Sequence, residues 1–142
     1  MVNGVYIPIE LIRSRAFSKL SGKATNVLIY FYTKRVMKPI PGFKAGERKK
    51  EWAITNNGKI TFFYSEAKKT YSISRGAFCN AIDKLVEVGF IDIVRPGIGA
   101  AKIETLYSIS DRWKKYGTDE FVKGKRTKRV AYRKSKKSIS QV

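Results

Sequence analysis

From Ala24 the apolar residues recur with a helical period. Ala24, Val27, Leu28, Phe31 and Tyr32 stand at i, i+3, i+4, i+7 and i+8, one buried face. The spacing predicts a helix over 21–36, capped by Ser21, with Lys34 and Arg35 in a last turn whose dipole favours cations. Tyr30 falls off the stripe and is expected to meet a partner or a second copy of the chain. Upstream, 5–9 reads as an extended lead-in held to an edge by Pro8. Leu11, Ile12, Ala16, Phe17 and Leu20 predict one or two short helical turns, interrupted near Ser14.

The pattern breaks at 37–50, where Pro39, Pro41, Gly42 and Gly46 forbid a continuous helix. Lys44, Arg48, Lys49 and Lys50 make this stretch a basic loop insertion, either solvated or lying along phosphates. Residues 51–63 read as a hairpin: two apolar arms flank Asn56-Asn57-Gly58, a favoured tight-turn sequence. One arm is expected to meet a later pair of strands. A short helix follows over 64–71, with Ser65 a candidate cap and Ala67 and Tyr71 turned inward. Ser72-Ile73 makes a turn, and Ser74 caps a second helix whose buried face is Phe78, Ala81, Ile82 and Leu85. Gly89 stands just past its end, where a left-handed residue is wanted. Then come a strand over 90–94, a glycine-bearing loop over 95–102 and a return strand over 103–109. Residues 110–116 predict a last helical turn with Trp113 tucked onto the domain.

Charge sharpens this picture. Thirty Lys+Arg against 11 Asp+Glu give a formal net charge of +19, and such a surplus self-repels unless a polyanion neutralises it. Nucleic acid is the first partner expected and an anionic membrane surface the next. Hydrophobic residues make up 43%, enough to fill a core, so 1–118 reads as one domain and 119–142 as a basic flexible tail. With no His and one Cys, Cys79, zinc fingers, Cys/His hydrolases and the usual transition-metal sites are excluded. Cys79 reads as a small packing residue. The scattered acids predict no enzyme, and no cofactor or metal is expected. No apolar run approaches a membrane span, and the basic start and apolar stretch of a secretory signal are missing. A cytoplasmic, nucleoid-associated protein is expected.

The helix after Ser74 is the candidate reading element. Ser74, Arg75, Gly76, Asn80 and Lys84 lie on or near its uncovered side. Arg can bond guanine O6 and N7 through two parallel donors, and Asn can do the same to adenine N6 and N7. Gly76 keeps the first turn thin, and Asp83 nearby would repel phosphate or orient a cation. Tyr64, Ser65, Lys68 and Lys69 are candidate phosphate contacts beside this helix, and Arg95 and Lys102 in the loop between the last strands. Lys125, Arg126, Lys128 and Arg129 are candidates in the tail, adding affinity without specificity.

Ile73-Ser74-Arg75, Phe78, Asp83-Lys84-Leu85 and Val88-Gly89-Phe90-Ile91, with the hairpin after them, resemble the winged helix-turn-helix superfamily over 21–109. The stretch Tyr6-Ile7-Pro8-Ile9-Glu10-Leu11, with Ala16-Phe17, Leu20-Ser21-Gly22-Lys23-Ala24 and Val27-Leu28, resembles small helix-turn-helix proteins of phages, plasmids and integrated elements. Some of these resemble the N-terminal domains of replication initiators. The resemblance implies an α+β fold, a three-helix core with a β-hairpin wing, binding double-stranded DNA, often as a homodimer. It implies a sequence-specific transcriptional regulator or a replication-initiation factor of a mobile element. A non-specific packaging protein and an RNA-binding module are the alternatives. The 37–50 insertion and the basic tail depart from the general pattern.

Overall fold

Two short helices, α1 (Ile9–Ile12) and α2 (Arg15–Ser18), open the chain. Ser14 separates them: its hydroxyl accepts from Phe17 N at 3.1 Å and donates to Leu11 O at 2.6 Å. The expected interruption is therefore a cap. The computed structural model describes residues 4–40, 52–99 and 102–124. The expected basic loop beyond residue 40, and the tail candidates Lys125, Arg126, Lys128 and Arg129, lie outside the described residues.

α3 (Ala24–Thr33) buries Ala24, Val27, Leu28, Phe31 and Tyr32, as its periodicity requires. It is shorter than predicted at both ends. Ser21 is not its cap: Lys23 holds that position with no side-chain bond, and Ser21 offers only its carbonyl, to Ala24 N at 3.1 Å. Tyr30, expected at a partner or dimer contact, makes a contact within the chain. Its ring stacks on Tyr71, with centroids 3.6 Å apart and planes 11° from parallel.

The hairpin expected over 51–63 does not form. β2 (Trp52–Ile54) pairs antiparallel with β1 (Met37–Pro39), so the start of the presumed loop is a strand. The other arm departs: Ile60 bridges Tyr107 in the later sheet, as expected for one of the two. A turn does close, with Lys59 N donating to Asn56 O at 3.0 Å. The two asparagines hold its arms apart. Asn56 accepts from Val36 N at 2.8 Å and donates to Lys34 O at 2.9 Å. Asn57 accepts from Ile109 N at 2.6 Å and donates to Ile109 O at 3.1 Å. Each side-chain amide imitates a backbone amide, so the two tie the turn to separate strands.

α4 (Tyr64–Tyr71) and α5 (Arg75–Val88) follow, and α5 buries Phe78, Ala81, Ile82, Leu85, Val86 and Val88. Ser65 is not the cap of α4, since Phe63 precedes the first turn. Phe62 is the hub of the core, 5.2 Å from Phe31 and 5.1 Å from Phe78 between ring centroids. Gly89 ends α5 at φ 94, and a Cβ there would stand 2.6 Å from Trp113 N, so both conformation and space demand glycine. β3 (Ile91–Arg95) and β4 (Leu106–Ile109) pair antiparallel, Ile91 opposite Ile109, with an irregularity between Ile93 and Arg95. A 3-10 turn (Arg112–Lys115) then packs a buried Trp113 against Phe90 at 5.8 Å. The described residues thus form a mixed α+β fold with five α-helices and two small antiparallel sheets. Among them no helix is long and apolar enough to cross a membrane.

Candidate nucleic-acid interface

The turn between α4 and α5 is built from local chemistry. Ser72 adopts the left-handed conformation (φ 57, ψ 39), and its N–H donates to Lys68 O at 3.1 Å. Ile73, 2% exposed, plugs the angle between the helices. Ser74 accepts from Ala77 N at 3.3 Å, which fixes where α5 begins. Burial of the opposite side leaves one outward stripe on α5: Gly76, Asn80, Asp83 and Glu87, at i, i+4, i+7 and i+11.

This stripe has two halves. At the N-terminal end Ser74, Arg75, Gly76 and Asn80 are all exposed, and a Cβ on Gly76 would meet nothing within 4 Å. The Arg75 guanidinium lies 4.7 Å from the centre of the Tyr64 ring, a cation–π contact that joins two of the candidate residues. The C-terminal half is acidic. Lys84, half-buried on the flank, has its Nζ 3.8 Å from Glu87 Oε1, and Lys123 Nζ approaches the same oxygen at 3.9 Å. Lys84 thus stands one turn beyond Asn80 on the same helix, with its ammonium turned toward the Glu87 carboxylate.

On α4, Ser65, Lys68 and Lys69 are exposed and Tyr64 is half-buried. The helix's own acid, Glu66, is taken up by Lys34, whose Nζ donates to both carboxylate oxygens at 2.6 and 2.7 Å. α4 thus shows outward cations with its anion engaged from behind. In the β3–β4 hairpin, Arg95 donates to Glu104 O through Nη2 at 2.9 Å and Nε at 3.3 Å, which fixes the guanidinium across the ribbon. Lys102 is exposed, in the left-handed region at φ 56.

Two features escape sequence reasoning. The pairing of Arg75 with Tyr64 had a signal, since both were candidates, but nothing in their spacing joins them. Arg112 carried no local signal at all. Its guanidinium donates to Asp92 Oδ1 at 2.5 and 2.9 Å, and to the carbonyls of Val86 (2.9 Å), Ile91 (3.1 Å) and Val122 (2.8 Å). It ties 122–124 to the end of α5, where a Cβ on Gly124 would stand 2.5 Å from Val86 O. Elsewhere, burial pushes the Tyr32 phenol up to about 12, with Arg35 pulling it down less strongly and Asp111 adding to the rise. The Arg35 guanidinium is lowered, chiefly by burial. Both belong to a groove whose lining includes Tyr6, Trp52 and Trp113 and no residue of α4 or α5. Among the described residues no cluster of His, Cys, Asp and Glu could hold a metal ion. No protein-family model, curated protein or solved structure matches this chain.

Proposed function

We propose that this chain is a winged helix-turn-helix protein that binds double-stranded DNA in a sequence-specific way. It would serve in the cytoplasm, on the nucleoid, as a transcriptional regulator or replication-initiation factor of a mobile element. One observation carries the reading: α5 leaves its N-terminal end uncovered, with Arg75 and Asn80 exposed there as side chains able to donate to base edges, after a tight turn and before a two-stranded hairpin. Recognition helices of this kind present their N-terminal residues to base edges in the major groove. The acidic half, Asp83 and Glu87, belongs away from phosphates, which tilts α5 so that Ser74 to Asn80 enter first. Lys68 and Lys69 on α4, and Arg95 and Lys102 in the wing, hold the backbone on either side.

A second reading is non-specific packaging. The charge of +19 favours it, as does the shortness of the donor-bearing stripe. Selection of bound duplexes from a random library by the full chain separates the two. An enriched motif of a few base pairs supports the proposal, and a palindromic one adds a homodimer. Tight, salt-sensitive binding without enrichment overturns it in favour of packaging. Preference for structured RNA overturns it in favour of an RNA-binding module.

A further inference from the structure

The end of the β3–β4 hairpin carries a feature that phosphate binding does not use. Ile98 and Ile103 form an isolated antiparallel bridge, exchanging N–H···O bonds at 2.9 and 3.0 Å. Directly opposed residues in a ribbon put their side chains on the same face. The two isoleucines therefore stand side by side as one apolar blade, 43% and 39% exposed. The same hairpin carries two cations: Arg95, on β3 and braced on Glu104 O, and Lys102, the residue before Ile103 in the chain. Glu104 is the one acid between Ile93 and Leu106. Lys102 also occupies a left-handed conformation that favours glycine, so a cation stands at the tip where conformation alone would select otherwise.

We infer that this blade is a wedge that enters the minor groove and partly unstacks one base step. Lys102 and Arg95 hold the phosphates on either side, and the duplex bends away from the hairpin. Apolar side chains inserted between base steps act in this way in minor-groove proteins. Occupancy by DNA rather than by a second copy follows from the charge: two tips bearing Arg95 and Lys102 repel one another, whereas a phosphate backbone neutralises both. The inference rests on the proposed DNA binding and adds a source of selectivity. Pyrimidine–purine steps unstack most readily, so one should be favoured at a fixed distance from the bases that α5 reads.

The test uses the full chain and a duplex bearing its selected site, or a random-sequence duplex if no site is enriched. Dyes at the two ends report bending, and 2-aminopurine at the flexible step reports unstacking. The native chain should shorten the end-to-end distance and raise 2-aminopurine fluorescence. Ile98→Thr/Ile103→Thr keeps β-branched shapes in the ribbon. It should still bind, within about threefold, but leave the duplex straight and stacked. Ile103→Ala alone supplies a second variant should the double one fail to fold. Lys102→Gly should preserve folding and reduce the salt slope by about 1. A straight, stacked duplex under the native chain overturns the wedge while leaving DNA binding intact. Bending undiminished in the isoleucine variants also overturns it. So does a native dimer that those variants convert to monomer, which would assign the blade to self-association. Failure to bind any duplex would overturn the underlying reading instead.

Discussion

Arg75 is held where it can act. With its guanidinium over Tyr64, the side chain would give up less rotamer freedom on meeting a guanine in the proposed complex than a fully free arginine. Arg75→Ala should relax base preference and cost about 1–3 kcal/mol on the preferred site, read by titration against mismatched duplexes. Tyr64 separates two roles. If its ring positions Arg75, Tyr64→Phe keeps base preference and Tyr64→Leu weakens it; a phosphate contact through the hydroxyl would make both variants weaken binding on all duplexes alike. Tyr32 gives a pH signature. Its phenol ionises near 10.0 in the unfolded chain and about 12 in the fold, so the stability of the buried neutral ring is whole below pH about 10 and lost as pH rises through about 12. Urea midpoints should fall across that window, and fall less in Tyr32→Phe; parallel curves would remove Tyr32 as the cause. Residues such as Ile73, Ser74 and Gly89 were legible in the sequence because their tasks are local: a plug, a cap, a left-handed stop. Tyr30 was not, because the ring that stacks on it, Tyr71, lies on another helix.

α5 shows how far a helical stripe is readable. Its buried face fixed its outer one, and the places of Gly76, Asn80 and Asp83 were read from spacing alone, whereas Glu87, one turn further on, was not singled out. Their division into a donor-bearing end and an acidic end matters more than any one of them. Asp83→Asn with Glu87→Gln should raise affinity for every duplex, by about threefold per carboxylate removed, and lower the ratio of specific to non-specific binding. A rise confined to the preferred site would mean that one of these acids reads a base. Strands were less legible than helices. β2 was recognised as extended, but its partner was not, because pairing in a sheet is set by tertiary contacts. Here the Asn56 and Asn57 amides carry that information, and an Asn-Gly turn reads as a hairpin until their bonds to Val36, Lys34 and Ile109 are seen. Arg112 joins the end of α5, β3 and the C-terminal segment in one set of hydrogen bonds. Arg112→Lys, which loses the planar fork, should cost about 2–4 kcal/mol and free the amides of 118–124 to exchange. Unchanged stability and exchange would show that the clamp is dispensable.

At the scale of the molecule, in the proposed DNA complex, charge sets affinity and geometry sets where the charge can go. If about six to eight phosphates are neutralised, log Kd against log salt should have a slope magnitude of about 5 to 7. Ending the chain at Gly124 removes eight Lys+Arg and no Asp or Glu, so the slope should flatten and all duplexes should weaken alike. A loss confined to one sequence would make the tail a reader of bases. The clamp on Val86 O and Val122 O gives this segment a fixed origin beside the acidic end of α5. Residues 125–142 are eighteen, and at most about 3.3–3.6 Å each they can extend no farther than roughly 60 Å from Gly124. Gly124 is therefore the centre of a sphere, and any footprint that residues 125–142 leave on a duplex must fall inside it, within about eighteen base pairs of that point.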